Sequence, residues 1–274
     1  MKSQILLPTA LVALMTLPAM GAGAQSSQVH SATPPAAAYP GAAAVPFGPG
    51  EKTVYNVKYG IAGTVGEASL SVPQLAEIRG QPVYLIDFRM KASAFFGALK
   101  VNDHFQSWFD VRRLHSHRYH QDVHEVNYKR VRTVDFFTDR GIWEQRQQGK
   151  EMVIGELPTD LPLDDISFLY FVRTVPLEVG RTYTFRRYWK EDGNPVTLEV
   201  LRRERVKVEA GEFDTIVVRP IIQTDGMFSE GGQAEIYFSD DERRLVVQLK
   251  TKFGPASVDL QLKSYTPGQP LTGR

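Results

Sequence analysis

The chain contains no cysteine. That excludes disulfide stapling, thiolate metal sites and the lipid-attachment cysteine that follows a lipoprotein signal. Stability must then come from burial, which 274 residues supply without covalent help. An excess of charge of either sign is also missing: 32 lysines and arginines face 31 aspartates and glutamates. Removing an N-terminal leader takes away Lys2 and no acid, so the rest is formally neutral and no broad nucleic-acid surface is expected. There is no G-x-S-x-G, H-E-x-x-H, Walker or G-x-G-x-x-G pattern. Gly60, Gly63 and Gly66 stand in strand-like sequence, where glycine marks a bend or bulge. No cofactor is implied.

What is present starts with Lys2, an apolar run from Ile5 to Met20 and the small residues Ala22-Gly23-Ala24. This is the layout of a cleavable signal peptide over residues 1–24. Pro8, Pro18 and the lack of a basic stop argue against a membrane anchor. The expectation is a periplasmic or secreted protein that is neither membrane-spanning nor a lipoprotein. Residues 25–46 are Ala, Pro, Ser and Gly with almost no large apolar side chains, too little to offset the entropy of ordering, and read as a disordered linker. Residues 267–274 read as a disordered tail, leaving 47–266 as a single β-domain.

Within that domain apolar residues recur with period two, the mark of strands with one buried face. Thr53, Tyr55, Val57 and Tyr59 show it, as do Tyr84, Ile86, Phe88 and Met90, and again Leu245, Val247, Leu249 and Thr251. Turn signals at 79–82, 138–141, 191–195 and 210–212 separate long runs. The expected fold is all-β: a large curved antiparallel sheet forming an open or partly closed barrel. Pro162-Leu163-Asp164-Asp165 before an apolar cluster predicts one short helix, about 165–174, packed on the sheet as a plug. The outward phase carries Asp87, Arg89, Lys91 and Lys250, which a lipid-facing barrel wall does not tolerate.

Several stretches resemble the DUF3108 family of exported bacterial proteins. They are Gly50 to Gly60, Gly66-Glu67-Ala68, Lys100 to Asp103, Asp165 to Arg173, Val208 to Phe213 and Tyr237 to Val247, in the family's order. The resemblance implies an envelope protein with a partly closed antiparallel sheet and supplies no activity or catalytic residues.

Three constellations could carry function. His115, His117, His120 and His124 lie close together; His120, Asp122 and His124 share one strand face and are the best metal candidates, with His115 and His117 on the other. The nearby Arg113 and Arg118 repel a cation, and a solvated strand pair is the plainer reading, so no metal is assigned. Asp103 and Ser107 fall in apolar phase, as do Arg202 and Glu204. Such residues line a wet cavity, pair with one another, or follow a bulge that shifts the phase. Arg187 and Trp189 lie in an aromatic, arginine-rich stretch that suits an anionic glycan or lipid head, or fills and rims a β-core.

The sequence therefore favours a non-catalytic binding or scaffold domain of the cell envelope, with a lipid- or glycan-sized cleft or a protein partner. The alternative is a hydrolase of envelope polymer using a carboxylate pair drawn from Asp103, Glu204, Asp240 and Asp241.

Overall fold

A computed structural model describes residues 41–95, 99–222, 233–253 and 256–271. The expected signal peptide, 1–24, and the expected linker up to residue 40 lie outside the described residues. The strands are β1 Glu51–Tyr59, β2 Thr64–Ile78, β3 Gln81–Ala94, β4 Leu99–Asp110, β5 Ser116–Glu125, β6 Tyr128–Phe137 and β7 Ile142–Gln147. They continue with β8 Val153–Glu156, β9 Thr182–Phe185, β10 Val196–Val208, β11 Gly211–Ile221, β12 Gln233–Ser239, β13 Val246–Phe253 and β14 Ala256–Thr266. All 14 form one antiparallel sheet in the order β8-β7-β6-β5-β4-β3-β2-β1-β14-β13-β12-β11-β10-β9. The sheet does not close, and its edges are β8 and β9. The expected all-β, partly closed architecture is the one observed.

The single α-helix among the described residues, α1 Asp165–Val172, joins the two edges and enters the concave face. It ends two residues earlier than the expected 165–174. Every residue from Ile166 to Val172 is buried, so the helix is apolar all round, as a plug wrapped by a sheet must be. Phe47 packs edge-on against Tyr170 and Tyr84 on one side, and Phe171 meets Phe185 on the other. Leu163 bridges Tyr188 in parallel, and Ser116 N–H donates to the Pro162 carbonyl, so the segment entering α1 spans the gap between β5 and the chain after β9.

Long strands curve at bulges. Register shifts at Ser71/Gln74, Trp108/Phe109 and Val200/Arg202 each add a local bend. Pro73 lies within the first of these, where its missing N–H interrupts no regular ladder. Gly66 on β2 is required by close approach, since a Cβ there would stand 2.0 Å from the Lys91 carbonyl of β3. The folded unit is longer than expected at both ends: Ala43 N–H donates to Val111, Val45 is buried, Gln269 N–H donates to Pro49, and Leu271 is buried. Residues within 41–46 and 267–271 thus pack against the sheet.

Candidate functional site

Hairpin topology sorts the loops to two ends of the sheet. The turns β1–β2, β3–β4, β5–β6 and β7–β8 lie at one end; β2–β3, β4–β5 and β6–β7 lie at the other. At the first end the tips carry exposed Ile61, Phe95 and Val126, followed by Met152, Val153 and Ile154 at the start of β8. Six of the seven exposed large apolar side chains among the described residues sit there. The helix fills the opposite half of the concave face, because Asp164, its N-cap, reaches Ser107 late in β4 and Ser116 at the start of β5.

Between plug and apolar rim, the inner face of β4, β5 and β6 carries polar side chains among its apolar ones. Register sets Met90 beside Asp103, Phe105 beside Gln121, Gln121 beside Arg132, and Val123 beside Arg130. A hydrogen-bonded chain climbs this face. Tyr119 OH donates to Asp165, Gln121 Nε2 donates to Tyr119 OH at 2.8 Å, and Gln121 Oε1 accepts from Arg130 at 3.2 Å and Arg132 Nε at 2.8 Å. At its upper end pairing runs out. Asp103 Oδ1 accepts from His124 N–H at 3.0 Å, yet Asp103 Oδ2, Glu125 Oε1 and Arg130 Nε are buried without a hydrogen-bond partner. Burial pushes the Asp103 carboxyl up to about 6, and burial plus the neighbouring Asp103 pushes Glu125 up to about 7. Neither Arg130 nor Arg132 makes a salt bridge among the described residues.

Because the Asp103 carboxyl holds its proton more tightly folded than unfolded, its contribution to stability is fully present below the unfolded value of about 4 and is lost as pH rises through about 6. Asp103→Asn has no such loss. Urea unfolding at a series of pH values is expected to show the variant gaining on the parent by about 2 kcal/mol between about pH 4 and about pH 7.

The residues predicted from sequence do not form one cleft. Asp103 is on the polar inner face, as its phase implies. Ser107 is buried but donates to Asp164 at 2.6 Å and serves the helix cap. Arg202 and Glu204 follow the β10 bulge; Arg202 pairs with Glu204 at 2.9 Å and also with Glu235, in a part-exposed cluster remote in strand order from Asp103. The phase shift and the ion pair together account for them. Arg187 donates to the Leu161 and Leu114 carbonyls and lies over Phe171, and Trp189 is buried against Trp143 and Phe136. Trp189 is part of the core, and the half-buried Arg187 rims it. The carboxylate pair required for the hydrolase is not assembled either: Asp240 binds Arg203 and Arg244, Asp241 binds Arg243, and Glu204 binds Arg202. In the sequence Glu125 stands beside the histidine stretch and Arg130 carries no signal; only the Val126-Asn127 turn, which sets Glu125 opposite Tyr128, brings the two toward Asp103.

The histidines also divide differently. His120 Nδ1 lies 2.9 Å from Thr133 Oγ1 and His124 pairs with Asp122, so His120, Asp122 and His124 do not converge on one point. His104 belongs to an ion cluster in which Arg89, His104 and Gln106 surround Asp87. One group of His and acidic side chains converges among the described residues: Asp110, His115 and His117, all buried, with one potential ligand atom from each within 4.8 Å of the others.

The DUF3108 family model, described as proteins of unknown function, matches residues 54–261. No curated protein matches the sequence. Among solved structures the chain is similar to a β-barrel-like protein of the DUF1849 domain from Brucella abortus, at 9% identity and TM-score 0.53, covering 82% of this chain and 100% of that one. It also aligns with a candidate exported protein with a YmcC-like fold from Bacteroides fragilis, at 11% identity, TM-score 0.33, and 82% and 99% coverage. The first likeness shows a barrel-like fold; the second is too distant to add to it.

Proposed function

The chain belongs to the DUF3108 family, and from that premise we propose that it is a non-catalytic, exported envelope domain that binds a zwitterionic amphiphile at the apolar-rimmed end of its sheet. One observation carries the reading: Asp103 Oδ2, Glu125 Oε1 and Arg130 Nε are buried together without partners. Unmet buried polar atoms are costly, and a ligand that supplies their partners recovers that cost. A phosphate matches Arg130, and an ammonium matches the two carboxyls. Met90, Ala92 and Val57 continue the inner face beside Asp103 on β3 and β1, and Ile61, Phe95 and Val126 rim the same end, which suits an acyl chain. Export rests on the leader read over residues 1–24. Among the described residues no helix is long and apolar enough to cross a membrane.

Native mass spectrometry of the mature chain with lysophosphatidylethanolamine, a neutral monoacylglycerol and a neutral oligosaccharide tests this. A one-to-one lysophosphatidylethanolamine adduct is expected, weakened at least tenfold in Arg130→Met. Equal retention of the neutral lipid, or adducts with the oligosaccharide alone, contradicts the proposal.

A further inference from the structure

The β4–β5 hairpin lies at the end of the sheet opposite the apolar rim, and it gathers the three groups named above. Asp110 is the last residue of β4, and its Oδ1 accepts the N–H groups of Arg112 at 2.8 Å and Arg113 at 2.7 Å, which fixes the carboxylate in the turn. Its Oδ2 lies 2.9 Å from His117 Nε2. Leu114 adopts a positive φ of 52°, turning the chain so that His115 folds back, and Asp110 N–H closes the hairpin on the His115 carbonyl at 2.8 Å. His117 is the unpaired residue of the β4–β5 bulge: Trp108 pairs with Arg118 and Phe109 with Ser116. The bulge takes His117 out of strict alternation and lets it share a site with Asp110 and His115, the re-aiming that bulges provide.

His115 is the second, independent observation. The residue is 2% exposed, its ring centroid stands 4.6 Å from that of His117, and neither Nδ1 nor Nε2 has a hydrogen-bond partner. A neutral imidazole carries one donor and one acceptor, and burying both unmet is expensive. The nearby arginines are already engaged, Arg113 by Asp160 and Arg187 by the Leu161 and Leu114 carbonyls, which lessens their opposition to a cation.

We infer that Asp110, His115 and His117 form a binding site for one first-row divalent transition-metal ion. Two imidazoles and one carboxylate are a borderline donor set: too nitrogen-rich for calcium or magnesium and without the thiolates that select soft ions. Three protein ligands on a tetrahedral ion leave a fourth position for water or an external group, the arrangement of functional zinc sites rather than closed structural ones.

Equilibrium dialysis of the mature full-length chain against zinc, with metal content measured, is expected to give one ion per chain with a micromolar or tighter Kd. His115→Ala and His117→Gln each weaken binding at least tenfold, since each removes one of three ligands, whereas His120→Ala and His124→Ala leave it unchanged. Cobalt added to the unaltered protein gives an independent readout, the intense visible bands of a four-coordinate nitrogen–oxygen site, which needs no variant to fold. Failure of the unaltered protein to retain zinc or develop those bands overturns the inference, and so does loss of binding in His120→Ala and His124→Ala but not in His115→Ala.

Discussion

Arg173→Met lowers the stability of the domain by about 3–5 kcal/mol in urea unfolding, the largest effect expected of any single substitution outside the apolar core. Arg173 follows α1, and its guanidinium grips Glu51 of β1 through two bonds of 2.6 and 2.9 Å, with both side chains at most 4% exposed. The same group donates to the Arg243 carbonyl and lies over the rings of Phe47 and Tyr170. One cation thus ties the end of the plug to β1 and to the β12–β13 turn. Removing it strands a carboxylate in a dry interior, and the cost comes mainly from that orphaned charge. The double variant Glu51→Gln with Arg173→Met should therefore be more stable than Arg173→Met alone. A double variant less stable than the single would show that the arginine acts through its packing instead.

The other end of the helix supports the second large effect. Asp164 is fully buried; its Oδ1 accepts from the N–H groups of Ile166 and Ser167, and its Oδ2 accepts from the hydroxyls of Ser107 and Ser116 at 2.6 and 2.7 Å. Ser167 returns a bond from the Asp164 N–H, completing a capping box. Asp164→Ala loses the cap, about 1–2 kcal/mol, and leaves buried hydroxyls unmatched, at least another 1 kcal/mol or so. We expect about 3 kcal/mol in total by thermal or urea unfolding, with Asp164→Asn losing less because its amide oxygen still accepts. Equal losses in Ala and Asn would place the requirement on charge rather than on hydrogen bonding.

The contrast between these two anchors and the candidate sites shows what was legible in the sequence. Alternation in Tyr84, Ile86, Phe88 and Met90 marks a buried face, because the side-chain period of a strand is fixed by its backbone, whereas in Leu245 to Thr251 the intervening Val246 and Gln248 are buried as well. Pro162 to Asp165 announced the helix start for the same local reason. Glu51 stood in phase with Thr53, Tyr55 and Val57, but its partner lies 122 residues away and only the folded sheet joins them. Bulges were the main obstacle. A bulge is a property of two strands in register, so reading one strand alone cannot place it, and one bulge brought His117 into Asp110's company while another carried Arg202 and Glu204 away from Asp103. The unmet atoms of Asp103, Glu125 and Arg130 are likewise visible only once three strands are aligned.

The proposed ligand site is tested most directly by hydrogen–deuterium exchange of the chain with and without lysophosphatidylethanolamine. Binding at the apolar-rimmed end predicts slower exchange in peptides covering 59–66 and 122–131, with the β4–β5 hairpin at 110–117 unchanged. Protection confined to 110–117, or none at a lipid concentration that saturates the protein, contradicts it.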